Sequence, residues 1–101
     1  MDPTNFIQAY DMREREENLR YIEDLVPGPY PMNTEQKDWF LGNSYLFTSL
    51  KCLDLSWQDI DDEFIEELCW ADFWSVSEIN LSHNPRITSR SLDAIIQSKS
   101  L

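Results

Sequence analysis

The sequence predicts an α/β domain in which short strands form one parallel sheet and helices pack outside it. Three apolar positions with strand-like alternation return 26 residues later, as Leu50 and Val76, Leu53 and Ile79, and Leu55 and Leu81. Three positions with helical spacing return 27 residues later, as Ile60 and Ile87, Ile65 and Leu92, and Leu68 and Ile95. Because a single strand–turn–helix unit cannot bury its own apolar face, the two units must stack.

The first element in chain order is a predicted helix. Asp2 and Pro3 are a typical helix start, because Asp caps free N–H groups and Pro loses no hydrogen bond at the first helical position. Nothing then interrupts a helix as far as Val26. Its apolar stripe at helical spacing consists of Met12, Leu19, Ile22 and Val26. We expect a surface helix packed by its two ends, and a partner-binding amphipathic arm is the alternative.

Three prolines and Gly28 end this helix in residues 27–31, since proline cannot continue helical hydrogen bonding. A second helix should follow, with Asn33 or Thr34 as its N-cap and its end at residues 42–44. Residues 1–49 are therefore predicted to be a helical N-terminal region that caps the two repeats.

The repeated residues resemble the leucine-rich repeat family, in the longer, helix-containing form of ribonuclease inhibitor and many F-box proteins. The matching segments are Leu50-x-x-Leu53-x-Leu55-x-x-Gln58-x-Ile60 and Val76-x-x-Ile79-x-Leu81-x-x-Asn84-x-x-Ile87. Gln58 stands where the family usually has Asn or Cys, and the second copy has one extra residue near Pro85. The resemblance implies a short leucine-rich-repeat solenoid, with repeats at residues 50–75 and 76–101 and a concave binding face.

The resemblance also implies which strand residues point outward on the concave side. These are Cys52, Asp54, Ser56 and Trp57 in the first repeat, and Glu78, Asn80, Ser82 and His83 in the second. Neighbouring strands would place Asp54 beside Asn80 and Trp57 beside His83. Tryptophan is over-represented among interface anchors, so Trp57 is a candidate anchor. Local packing over the repeat edge is the alternative for this side chain.

Acidic residues are concentrated in the first repeat. The chain carries a net charge of −11, and residues 50–75 hold eight acids against a single Lys. This excess predicts a protein partner with a basic surface, with Asp61, Asp62 and Glu66 as candidate contacts. The alternative is that these acids favour the helix N-terminus and otherwise form a solvated face. The same charge disfavours nucleic acid and anionic membrane surfaces as partners.

No catalytic residue, cofactor or metal site is predicted. Gly28 and Gly42 are the only glycines and both fall in turns, so a phosphate-binding loop cannot form. Cys52 is expected on the strand face and Cys69 on the outer helix, which argues against a zinc site or a disulfide. So few cysteines, without a signal peptide or membrane span, favour the cytoplasm or nucleus.

These features predict a non-catalytic protein–protein interaction module that acts as an adaptor or as a subunit of a complex. The alternative is a purely structural component that completes a larger assembly. An adaptor should fold and bind alone, whereas a structural subunit should aggregate without its neighbours. Leu101 stands where a third repeat would begin, and no polar cap follows the second repeat. The open edge of the second repeat's strand is therefore expected to be covered by a second copy of the chain or by another subunit.

Overall fold

The protein was analysed as a computed structural model, which describes residues 3–70 and 76–97. Within them, four parallel strands form one sheet in the order of the chain, namely β1 Thr4–Asn5, β2 Asp24–Val26, β3 Cys52–Asp54 and β4 Glu78–Asn80. The helices are α1 Phe6–Asp11, α2 Glu16–Leu19, α3 Thr34–Gly42, α4 Asp62–Cys69 and α5 Ser89–Gln97, with a 3-10 turn at Ser44–Leu46. The predicted α/β class with a parallel sheet is confirmed. Leu101, where a third repeat would begin, lies outside the described residues.

Each strand lies directly beside the one before it, so every connection crosses over in the same sense. Right-handed crossovers of this kind carry the helices to one side of the sheet. The core lies between the two layers, where Leu25 and Leu53 of the sheet and Ile65 and Leu68 of α4 are completely buried. Within the helical layer, α4 and α5 pack against each other.

The predicted register, in which each β3 residue pairs with the β4 residue 26 positions later, is confirmed. Leu53 of β3 pairs with Ile79 of β4, and Asp54 pairs with Asn80. Asp61 accepts a hydrogen bond from the N–H of Phe64 at 2.9 Å and so caps α4, as its position predicts. Each strand, with the turn and helix after it, is called a unit below.

The prediction of one helix from residue 3 to Val26 is wrong. The segment instead contains β1, α1, α2 and β2, so a strand and not a helix precedes the prolines. Residues 11–18 are almost wholly polar or charged, and a helix without an apolar face gains little from packing. Leu25 is buried between the half-buried Asp24 and Val26, which is the alternation of a strand.

Asparagine caps start α1 and α3. Asn5 caps α1, because its Oδ1 accepts from the N–H of Gln8 at 2.8 Å and Gln8 Oε1 accepts from the N–H of Asn5 at 3.0 Å. Asp2, the predicted cap, lies outside the described residues. Asn33 and Gln36 make the same reciprocal pair at the start of α3, which confirms the predicted cap.

The linker of residues 27–31 passes close to the start of α1. A Cβ atom on Gly28 would lie 2.9 Å from Cγ1 of Ile7 and 3.3 Å from Oδ1 of Asn5. A larger residue would therefore require the side chain of Ile7 to shift, so this close approach favours glycine.

Aromatic side chains join α1 to α3. The rings of Phe6 and Phe40 meet edge-to-face with centroids 5.4 Å apart, and Phe40 meets Phe47 at 5.5 Å. Tyr10 and Trp39 form a further edge-to-face pair at 5.6 Å. Such pairs add to the free energy gained from burial alone. The N-terminal residues are therefore part of the central core.

Carboxamide side chains connect successive turns in the interior. Oε1 of Gln58 accepts a hydrogen bond from the N–H of Met32 at 3.0 Å. One unit later, Oδ1 of Asn84 accepts from the N–H groups of Gln58 at 3.1 Å and Ile60 at 3.3 Å. Gln58 thus makes the same kind of contact as Asn84, although its longer side chain differs from the residue usual in the family it resembles.

Candidate interaction surface

The sheet face opposite the helices carries a row of acids across neighbouring strands. Asp24, Cys52 and Glu78 lie side by side, because Asp24 pairs with Cys52 and Cys52 with Glu78. Glu78 is exposed, and the other two residues are half-buried. Asp54 and Asn80 form the next pair along β3 and β4, as predicted.

The two flanking acids keep the Cys52 thiol protonated. The pKa of this thiol is raised to about 11, first by its hydrogen bond to Asp24 and second by its hydrogen bond to Glu78. Sγ of Cys52 donates to Oε2 of Glu78 at 3.4 Å. Since the thiolate is the reactive form of cysteine, this thiol is a hydrogen-bond donor and a poor nucleophile at neutral pH.

The same turn follows both of the strands β3 and β4. Oδ1 of Asp54 accepts from the N–H and the hydroxyl of Ser56 at 3.0 and 2.6 Å. Asn80 makes the equivalent bonds to Ser82 at 2.9 and 2.6 Å. Ser56 was expected on the exposed face, but it is buried, and its hydroxyl is turned back to Asp54 of the same turn. We therefore exclude Ser56 from the candidate surface.

Trp57 and His83 stack on each other at the end of this face. Their ring centroids are 3.9 Å apart and the ring planes are 8° from parallel, which confirms the predicted neighbours. Both residues have positive φ angles, 62° and 59°, a region that costs a non-glycine residue about 1–2 kcal/mol. Because both turns share this conformation, the two side chains leave the backbone in parallel. Trp57 remains 62% exposed.

A shallow groove lies beside the stacked pair. It is lined by Trp57, Leu81, His83, Asn84, Pro85 and Ile87. The groove combines an aromatic wall with aliphatic side chains, so it can accept a long side chain such as that of Lys or Arg, whose alkyl stem packs against apolar surface.

The three acids that were candidate partner contacts lie at the N-cap and in the first turns of α4, and each makes a polar contact with another residue of the chain. Asp62 is buried and accepts hydrogen bonds from the N–H of Thr88 at 2.8 Å, its hydroxyl at 2.6 Å and the hydroxyl of Ser91. Glu66 pairs with Arg90. Asp61 caps α4 and lies 3.9 Å from Arg86. The structure places these acids at the contact between the β3 unit and the β4 unit.

The hydrogen bonds to Asp62 make part of the stability dependent on pH. Those from the Ser91 hydroxyl, the Thr88 hydroxyl and the Thr88 N–H lower its pKa from 3.8 to about 2. A lowered pKa in the folded state means that the carboxylate stabilises the fold above about pH 4, and that this contribution is lost as the pH falls towards 2.

We expect Asp62→Asn to lower the melting temperature at pH 7 by roughly 5–10 °C, because the amide nitrogen replaces Oδ2 and cannot accept the hydrogen bond from the Thr88 hydroxyl, and because the remaining bonds lose their charged acceptor. The difference from the native chain should shrink between pH 4 and pH 2, where the native carboxylate also becomes protonated. Thermal unfolding followed by circular dichroism at each pH measures both effects. A difference that is constant from pH 7 to pH 2 would contradict the assignment.

Asp24 was not identified from the sequence, because β2 was predicted to be helical. A signal was present, since Ile22 and Leu25 precede Leu50 and Leu53 by 28 residues. Pro27 then stands 28 residues before Leu55 and ends the match.

The described residues hold no cluster of three or more His, Cys, Asp or Glu side chains suited to a metal ion. Cys52 and Cys69 are not joined in a disulfide. In the same part of the chain, no helix is both long enough and apolar enough to cross a membrane.

Comparison of the chain with protein-family models, with curated proteins and with solved structures gives no match. The surface itself is therefore the basis for assigning a function.

Proposed function

We propose that this protein is a non-catalytic protein–protein interaction module, an adaptor or subunit whose stacked Trp57 and His83 anchor a partner. The observation that supports the proposal most directly is the exposure of a large indole held rigid by stacking. A ring fixed in this way loses little conformational entropy on binding, which is why tryptophan recurs among residues that dominate interface energies.

A basic partner surface fits this face best. The groove beside Trp57 accepts a long side chain, and a cation over an indole ring gains about 0.5–2 kcal/mol. Asp24, Asp54 and Glu78 place carboxylates on the same side of the sheet. We therefore include these three residues with Asn80, Trp57 and His83 in the proposed surface.

The same contacts support a leucine-rich-repeat arrangement as part of the proposal. β3 and β4 pair at an offset of 26 residues, and the turns after them share positive φ angles at Trp57 and His83. The carboxamides of Gln58 and Asn84 make matching contacts. In this arrangement the acidic row and the stacked pair lie on the concave face.

Replacing Trp57 by Ala should weaken partner binding by about 30-fold or more, the loss expected for a residue that contributes at least 2 kcal/mol. Stability should change little, because the side chain is mostly exposed. Capture of partners from a lysate of the source cells, with quantitative mass spectrometry, identifies the proteins that the Trp57→Ala chain loses. The affinity of a purified partner for both chains then measures the loss.

Trp70 provides a matched control, since it is 88% exposed at the end of α4, on the helical side of the sheet. Trp70→Ala should leave partner binding unchanged. Raising the salt concentration should weaken the Trp57-dependent contact if its partner is basic. If both variants bind every partner as the native chain does, Trp57 is not an anchor and the proposal is wrong.

A structural component of a larger assembly is the second candidate function. The observation that favours it is the exposure of apolar side chains on α5, of which Ile96 is 80% exposed. Such a subunit should aggregate when expressed alone and dissolve when its neighbours are co-expressed. Soluble folding in isolation would favour the adaptor.

A further inference from the structure

The β4 unit has a side that no described residue covers, which we call the open end and which consists of β4, the turn after it and α5. Equivalent strand positions differ in burial between the two units. Leu53 and Leu55 are fully buried, whereas the matching Ile79 and Leu81 are only half-buried. The physical cause is that the β3 unit has a neighbour on each side and the β4 unit has a neighbour on one side within the described residues.

The helices show the same contrast. Ile65 of α4 is completely buried, but the matching Leu92 of α5 is 58% exposed. Burying apolar area of this kind contributes about 25 cal/mol per Å². Contiguous exposed apolar surface is typical of interaction sites, so the open end has the character of one.

Backbone groups show which kind of element fits the open end. The N–H of Leu55 donates to the carbonyl oxygen of Asn80 in the next strand at 2.8 Å. The matching N–H of Leu81 has no acceptor among residues 3–70 and 76–97. A further parallel strand beside β4 would supply a carbonyl oxygen at this place, as β4 supplies one to β3.

The turn specifies the partner more closely. Gln58 accepts from the N–H of Met32 in the unit before it, and Asn84 accepts from the N–H of Gln58. Each carboxamide therefore reaches back by one unit. The N–H of Asn84, in the last turn, has no acceptor within the described part of the chain. An Asn or Gln in the turn of an added unit is the side chain that these contacts predict.

We propose that the open end binds a parallel strand–turn–helix unit of a partner protein, and that the turn of this unit carries Asn or Gln. A second copy of the chain fits less well. Two copies that meet at their open ends about a two-fold axis would pair β4 antiparallel, and no carboxamide would reach the turn of the other copy. At the opposite edge, β1 has only two residues and leads directly into α1.

The first experiment extends the chain with a second copy of residues 76–101 directly after Leu101, so that Val76 returns after 26 residues. We expect the melting temperature to rise by roughly 5 °C or more. Exchange of the backbone N–H of Asn84 in the original unit should slow at least 10-fold. Hydrogen exchange monitored by NMR measures this N–H directly.

The control is the extended chain with Asn84→Ala in the added copy only, which leaves the added apolar surface unchanged. It should lose the slowed exchange of the original Asn84 N–H. An extended chain with unchanged melting temperature and exchange would overturn the proposal. So would protection that persists in the control, because the carboxamide would then play no part.

The second experiment distinguishes a partner protein from a second copy. Light scattering of the native chain should show a monomer, and a dimer that Leu92→Glu dissociates would overturn the proposal. We also expect a protein that the native and Trp57→Ala chains both capture and the extended chain does not. If the extended chain captures all such proteins equally, the open end does not bind a partner unit. Because the Trp57→Ala chain also captures such a protein, this result can fail or hold independently of the proposed function of Trp57.

Discussion

Replacing Asn84 by Ala is expected to lower the free energy of unfolding by about 2–4 kcal/mol, the largest effect of any polar substitution proposed for this chain. The side chain is buried, and its Oδ1 accepts from two backbone N–H groups. Its Nδ2 donates to the carbonyl oxygens of Leu55 at 2.9 Å and Leu81 at 3.1 Å. Alanine leaves these interior groups without partners, and such groups cost more than the bond itself contributes.

Asn80→Ala is the matched control, because Asn80 is the same residue type four positions earlier but exposed. Its bonds to Ser82 are replaced by water, so we expect a loss below about 1 kcal/mol. Urea unfolding followed by circular dichroism measures both variants, with the slope of the transition as a check that cooperativity is kept. Equal losses for the two variants would contradict the interior role of Asn84.

The second large effect is expected at the other end of the chain, where Phe6→Ala should lower the free energy of unfolding by about 3–5 kcal/mol. Phe6 is buried against Phe40, and alanine would leave a cavity beside the ring of Phe40. With the stability usual for a small domain, the variant would be partly unfolded at 37 °C.

Tyr21→Ala tests whether this loss is specific to the buried position. Tyr21 is an aromatic residue of the same N-terminal segment but is mostly exposed, so its removal should change stability by about 0.5 kcal/mol or less. Thermal and urea unfolding of both variants provide the comparison. A loss below about 1 kcal/mol for Phe6→Ala would mean that α1 is not part of the central core.

The second half of the fold could be predicted from the sequence, because two units repeat both a strand and a helix pattern. The offset of 26 residues correctly paired Asp54 with Asn80 and Trp57 with His83. A constant difference in residue number identifies the paired positions because parallel strands of successive units lie side by side at the same height in the sheet. The prediction required no knowledge of the side-chain contacts themselves.

The N-terminal half could not be predicted in the same way. Leu19, Ile22 and Leu25 are buried, yet their spacing of three residues also suits one face of a helix. β1 and β2 are two and three residues long, which is too short for alternation to be distinguished from a helical stripe. The structure of β2 is decided by its pairing with β3, which lies 28 residues further along the chain.

The site was predicted in part for a related reason. Asp62 appeared to be one of several acids at a helix start, but its partners Thr88 and Ser91 lie 26 and 29 residues further on. Composition and local charge do not indicate such partners. Only a superposition of the two units would have placed Thr88 beside Asp62.

The offsets between paired strands have a consequence for how the chain folds. They are 21 residues from β1 to β2, 28 from β2 to β3 and 26 from β3 to β4. Because the entropy lost on closing a loop grows only with the logarithm of its length, this loss hardly differs from one junction to the next. Which junction forms first is then set by the contacts it gains. The β2–β3 junction gains the most complete ones, since Leu25 and Leu53 are both fully buried. Folding should nucleate there and proceed outward to β4.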